Sequence, residues 1–220
     1  MIKALLLVIS PGATWDRIVL AKRSWPVILL GYLIPLLVIT GVAEGYGLVH
    51  WGKPRGQMSQ ITKFSNSTAL VYVILQLLLL LVIVFVGAKL VRAMGETFHG
   101  RHTFTQGFTV AAYGLGPVFA LYALDMFPVI SSWAYWVIWI VGVLFCMSTL
   151  YHGIPRVMLP DPPHAFGLFV VSGLLLAMMT GLARFLTFWF LEGKFGKLDA
   201  FISQIVDHLP FLQSLDKVTL

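Results

Sequence analysis

Charge is scarce in this chain: Asp, Glu, Lys and Arg make up 11% of its 220 residues, against 59% hydrophobic. Soluble domains carry about a quarter charged residues, so a large water-soluble domain has nowhere to sit. A single membrane domain, 1–220, accounts for the whole length. Cysteine occurs once, as Cys146 inside an apolar run. That excludes an intrachain disulfide and reads as a small buried hydrophobe. There is no Gly-x-Ser-x-Gly elbow, no phosphate-cradling glycine loop and no His-Glu-x-x-His. No cofactor is expected. The net charge of +6 is modest, and no element combines clustered bases with stacking aromatics, which argues against nucleic acid. The bases stand at the ends of apolar segments, where anionic headgroups attract them.

What is abundant is long apolar sequence. Tyr72 to Ala88 is interrupted only by Gln76 and Gly87. A segment apolar all the way round has no face for water, and about 20 such residues cross a hydrocarbon core of about 30 Å. Five stretches qualify, over about 25–48, 69–94, 107–127, 129–153 and 165–191. The expected fold is all-α: a polytopic bundle of five transmembrane helices, flanked by interfacial amphipathic helices over about 11–23 and 197–215.

Lys3 followed by Ala4 to Ile9 imitates a signal peptide, but the run of six is below the usual ~7–15 and Ser10-Pro11 ends it. Ser10 is placed to cap the next helix and Pro11 to occupy its first turn. That helix puts Trp15, Ile18 and Val19 on one side and Asp16 and Arg17 on the other. Pro35 sits mid-span and predicts a kink. The stretch around Glu44, with three glycines, predicts a fraying end near the surface. Residues 50–68 read as a polar loop, in which Asn66-Ser67-Thr68 starts the next helix rather than serving as a glycosylation site.

The third span differs in kind. Gly107 with Ala111, and Ala112 with Gly116, are small-xxx-small pairs that let helix backbones approach closely, with Gly114 beside them. Pro117 removes the hydrogen bond to the Tyr113 carbonyl, so Tyr113 and Pro117 read as a kink that shapes the helix interface. Trp133, Tyr135, Trp136 and Trp139 suggest an aromatic belt, and Gly153-Ile154-Pro155 an end to the fourth span. Counting Lys and Arg gives eight against six in favour of a cytoplasmic N-terminus and an external C-terminus.

Residues 108–119, FTVAAYGLGPVF, followed by LYHGIPRVM at the end of the fourth span, resemble the Yip domain family (Ypt-interacting membrane proteins) in its bacterial branch. The opening Ser10-Pro11, Trp15 and Ile18 look like the same branch. The resemblance implies five spans with a cytoplasmic N-terminus, in a bacterial inner membrane. Eukaryotic relatives bind small Rab-type GTPases in vesicle traffic. Their long N-terminal region with its Tyr-Gly-Pro motif is not in this sequence, so Rab binding is not carried over. For bacterial members the resemblance implies a fold and no reaction.

Four ionisable groups fall at membrane depth: Glu44, Asp125, His152 and Arg184. Such residues are functional candidates, because their burial is costly. Glu44 and Asp125 lie near the external end of their spans, and Arg184 is close enough to snorkel. An Arg184–Asp125 or Arg184–Glu44 pair is the structural reading; a proton or ion path is the alternative. His99 and His102 stand three apart, with His152, His164, Glu96 and Asp161 on the same side. They lack a second paired motif, so histidines near headgroups are preferred to a metal site. The function expected is non-enzymatic: an interaction, assembly or accessory subunit, whose partners are the lipid bilayer and other membrane subunits or further copies of itself. A small transporter or channel using Glu44, Asp125 and Arg184 is the alternative. A metal-dependent enzyme would need His99, His102 and an acid to converge.

Overall fold

The computed structural model describes residues 2–55, 60–97, 102–127, 132–192 and 194. The predicted C-terminal interfacial helix over 197–215, along with His99, lies outside the described residues.

Two short helices, α1 (Ile2–Ile9) and α2 (Pro11–Leu20), precede the bundle. Pro11 opens α2 as predicted, but the Ser10 hydroxyl does not cap it. Thr14 Oγ1 donates instead to the Leu6 carbonyl at 3.1 Å and ties the two helices together. Trp15 and Ile18 are buried, whereas Val19 is exposed. The chain leaves α2 through Lys22, whose φ of 42° breaks the helical run.

The first long helix runs Trp25–His50. It starts as α3 (Trp25–Ile28), widens into a π-helical turn over Leu29–Leu33, and continues as α4 (Ile34–His50). Pro35 cannot donate back to the preceding turn, and the widened turn just before it is where the helix absorbs that loss. The far end does not fray: α4 stays helical past Glu44, and its end is closed by Trp51 and Gly52 N–H groups on the Gly47 carbonyl. The segment predicted as a plain polar loop contains a small hairpin, β1 (Lys53–Arg55) antiparallel to β2 (Gln60–Thr62). Gly52 makes the turn at φ +73°, where a Cβ would stand 2.3 Å from the Thr62 carbonyl oxygen.

Helix α5 (Asn66–Thr97) has 32 residues, and its most apolar 18-residue stretch has a mean hydropathy of 3.1. At 1.5 Å per residue it is longer than the hydrocarbon core is thick. The third span, Phe104–Met126, bends at Leu115, two residues before Pro117. It consists of α6 (Phe104–Gly114), α7 (Gly116–Leu121) with Pro117 in its first turn, and a 3₁₀ turn over Tyr122–Met126. Thr103 and Gln106 close its start as a reciprocal capping box. Helix α8 (Ser132–Met158) passes through Gly153-Ile154-Pro155 instead of ending there; Pro155 lies on its exposed side. Helix α9 (Pro162–Leu191) completes the bundle.

The third span is the centre. In its apolar window 78% of residues are buried, against 28–39% in the other four long helices. Helix α6 packs between α5 and α8, α7 packs on α8 and α1, and α9 packs on α5 and α8. The small residues of the third span are used inside this arrangement. A Cβ on Gly107 would stand 2.4 Å from the Ala88 carbonyl oxygen of α5. Ala111, Ala112, Gly114 and Gly116 are likewise buried. The outward faces of α5, α8 and α9 carry exposed Leu, Val, Ile and Phe, as lipid demands.

Candidate functional site

Two buried neighbourhoods gather the chemistry-bearing residues. The first is ionic and lies towards the hairpin end. Glu44 on α4 has no exposed surface. Its Oε1 accepts from Lys53 Nζ at 3.3 Å and from the Tyr72 hydroxyl at 2.9 Å. Its Oε2 accepts from Gln76 Nε2 at 2.7 Å. Asp125, on the 3₁₀ turn, accepts from the Arg184 guanidinium at 2.8 Å. Arg184 also donates to the Tyr135 carbonyl at 3.2 Å, and its Cζ lies 3.2 Å from the centre of the Tyr135 ring. Lys53 is the second cation on this ring, with its Nζ 4.6 Å from the ring centre. Tyr135 is thus the shared aromatic contact of both cations, and its hydroxyl meets Thr187 Oγ1 at 3.0 Å.

Two formal anions and two formal cations make this cluster neutral. All four side chains are nearly inaccessible. An isolated ion at this depth would be costly; mutual pairing and hydrogen bonding lower that cost. Satisfaction is incomplete, however. Asp125 Oδ1, Arg184 Nε, Gln76 Oε1 and the Tyr122 hydroxyl have no hydrogen-bond partner among the described residues. Gln76, Tyr72 and Thr187 also line a lateral groove of about 280 Å³ between α5 and α9, with Leu75, Leu79, Leu186 and Phe190.

The second neighbourhood lies under α1 and α2. Trp15 packs edge-on to Tyr113 with ring centres 6.1 Å apart, and its indole N–H donates to the Thr149 carbonyl at 2.8 Å. Gly153 faces that indole; a Cβ there would approach the ring to 2.4 Å. Tyr113 also packs on Tyr32 with ring centres 4.3 Å apart, and the Tyr32 hydroxyl fills the space where Gly116 lacks a side chain. The segments around Trp15, Tyr113-Gly114-Leu115-Gly116-Pro117 and Gly153-Ile154-Pro155, far apart in sequence, therefore meet in one packed core.

The remaining predicted residues stand apart from both. Pro35 begins α4. His152 is half-buried on α8; its Nδ1 lies 2.9 Å from the Ser148 carbonyl, and its own carbonyl accepts from Arg156. It is not in the ionic cluster. Glu44 and Asp125 are sealed from water rather than near it, and Arg184 turns inward instead of snorkelling. Tyr135 is a core residue, not part of a belt, while Trp133 is exposed. His102 is buried with its ring against Gly95 and Met158 rather than solvated. Among the described residues no group of three or more His, Cys, Asp and Glu is arranged to hold a metal ion.

Lys53, Tyr72 and Gln76 were missed as site residues. The signal for Lys53 was Gly52 directly after the end of α4, since a left-handed residue there turns the chain back over the helix end. The signal for Gln76 was its isolation in a run that otherwise carries no side-chain amide.

Neither a curated protein nor a solved structure matches the chain. A family model described as the Yip1 domain matches residues 5–185, a stretch that includes all three converging segments and all four members of the ionic cluster. The chain is a multi-pass membrane protein and belongs to the Yip1 domain family.

Proposed function

We propose that this protein is a non-enzymatic accessory or interaction subunit of a membrane complex. The observation that carries this reading is Gln76. Its Nε2 is taken by Glu44, which fixes the amide orientation, and its Oε1 is left without a partner in a residue that lines the α5–α9 groove. Lipid tails donate no hydrogen bonds. A segment seated in the groove brings a donor towards this amide, whose Oε1 the groove side chains cover in the isolated chain, and small polar contacts of this kind join helices in lipid. The small residues of the third span do not supply the partner surface, because the bundle itself covers them. The Lys and Arg balance of eight to six supports a cytoplasmic N-terminus, and the resemblance to the bacterial branch of the family supports a bacterial inner membrane.

The test is purification from native membranes in mild detergent, with native mass spectrometry of the eluate. A defined stoichiometric complex, weakened by Leu75→Trp in the groove and by Gln76→Leu, is the expected result. A chain that always elutes alone as a monomer overturns the reading.

The second reading is a small transporter. It is favoured by the unpartnered Asp125 Oδ1 and Arg184 Nε inside a charged cluster at membrane depth. Solute flux into liposomes that is abolished by Asp125→Asn supports it; flux that survives Asp125→Asn and Arg184→Gln together contradicts it.

A further inference from the structure

A cavity of about 410 Å³ opens at the N-terminal end of the bundle, above Tyr113. Four cations line it: Lys3 from α1, Lys22 and Arg23 from the end of α2, and Arg156 from the end of α8. Tyr113 adds a hydroxyl from the central span, while the Thr109 hydroxyl donates to the Thr105 carbonyl at 2.6 Å. Among the described residues no carboxylate lines it. Arg156 is partly engaged, by Asp16 at 2.8 Å and the His152 carbonyl at 2.9 Å. Lys3, Lys22 and Arg23 have no acidic partner among the described residues. Lys3 Nζ lies 5.8 Å from the centre of the Tyr113 ring.

From this arrangement we infer that the cavity is a binding site for an anionic phosphate group. Clustered Lys and Arg with a hydroxyl donor are the chemistry that recognises phosphate. The volume lies within the range of small-molecule sites, about 300–1,000 Å³. The Lys3 ammonium is held below the ordinary lysine range, first by burial and then by the neighbouring Arg23 charge; a bound anion counters the Arg23 repulsion and pairs with the ammonium. Nearby Leu20 and Leu159, each 78% exposed, give acyl chains an apolar surface beside the cations. The group is supplied either by a lipid headgroup or by free phosphate. The site is independent of the groove and of any partner that binds there.

Native mass spectrometry of the full chain in detergent tests this, with phosphatidylglycerol, phosphatidylcholine and inorganic phosphate as probes. Either phosphatidylglycerol retained about tenfold better than phosphatidylcholine, or specific phosphate adducts, is expected. Lys3→Gln/Arg23→Gln removes the binding, whereas Lys3→Arg/Arg23→Lys and Lys63→Gln/Lys89→Gln, outside the cavity lining, keep it. Should the neutral double variant fail to fold, the exposed Lys22→Gln gives a graded loss on its own. Phosphatidylglycerol that resists excess phosphate identifies the headgroup as source; displacement identifies free phosphate. No preference for phosphatidylglycerol together with no phosphate adduct overturns the inference, as does equal loss in the Lys63→Gln/Lys89→Gln control.

Discussion

Arg184 and Asp125 are 59 residues apart in sequence and 2.8 Å apart in space. Asp125 ends the central span and Arg184 lies in the last long helix, so their pair joins the middle of the bundle to its edge. The Tyr135 ring beneath the guanidinium brings in α8, and Lys53 on the same ring brings in the hairpin. One neutral cluster thus fastens several elements at a depth where unpaired charges are costly.

Lys53 behaves as a core residue although it follows a helix end in polar sequence. Lys53→Met leaves Glu44 without its cation and is expected to cost about 3–5 kcal/mol. The exposed Lys63→Met is expected to change stability by less than about 0.5 kcal/mol. Denaturant titration in detergent micelles, followed by tryptophan fluorescence, compares the two.

Trp15 holds α2 to α8 through the Thr149 carbonyl. Trp15→Phe keeps an aromatic ring there but removes the indole N–H bond to a carbonyl that stays in the α8 ladder, at an expected cost of about 0.5–1.5 kcal/mol. Loosened N-terminal helices become cleavable, so limited proteolysis near Ser10 is expected to accelerate severalfold while the long helices stay intact.

Gly107 and Gly31 separate close packing from composition. Gly107→Ala drives a methyl against the Ala88 carbonyl and is expected to destabilise by about 1–3 kcal/mol. Gly31 has nothing within 4 Å of an added Cβ, so Gly31→Ala is expected to be neutral or slightly stabilising. Thermal unfolding of the two variants in one detergent distinguishes them.

The five long helices were legible because hydrophobic runs such as Tyr72 to Ala88 need no partner to be recognised. Their ends were less so. Pro155 read as a stop, yet α8 continues past it with the proline on its exposed side. Glu44 read as an ionisable group at membrane depth but close to water, because neighbouring glycines suggested fraying; the Gly47 carbonyl, held by two N–H groups, closes the helix beyond it. Arg184 was recognised as a pairing residue, and Asp125 was among its named partners. That Glu44 belongs to the same cluster through Lys53 and Tyr135 was not legible, because it depends on a turn at Gly52 and on the packing of α8. The small residues of the third span announced close contact but not with what: the contact is within the chain.

A double-mutant cycle on Arg184→Gln and Asp125→Asn, read as unfolding free energy in detergent, tests the central claim most directly. The account predicts that each single variant loses about 3–5 kcal/mol and that the double variant loses clearly less than the sum, because neither charge is then left alone. Additive losses, or single variants as stable as the parent, would contradict a bundle fastened by mutually neutralising buried charges.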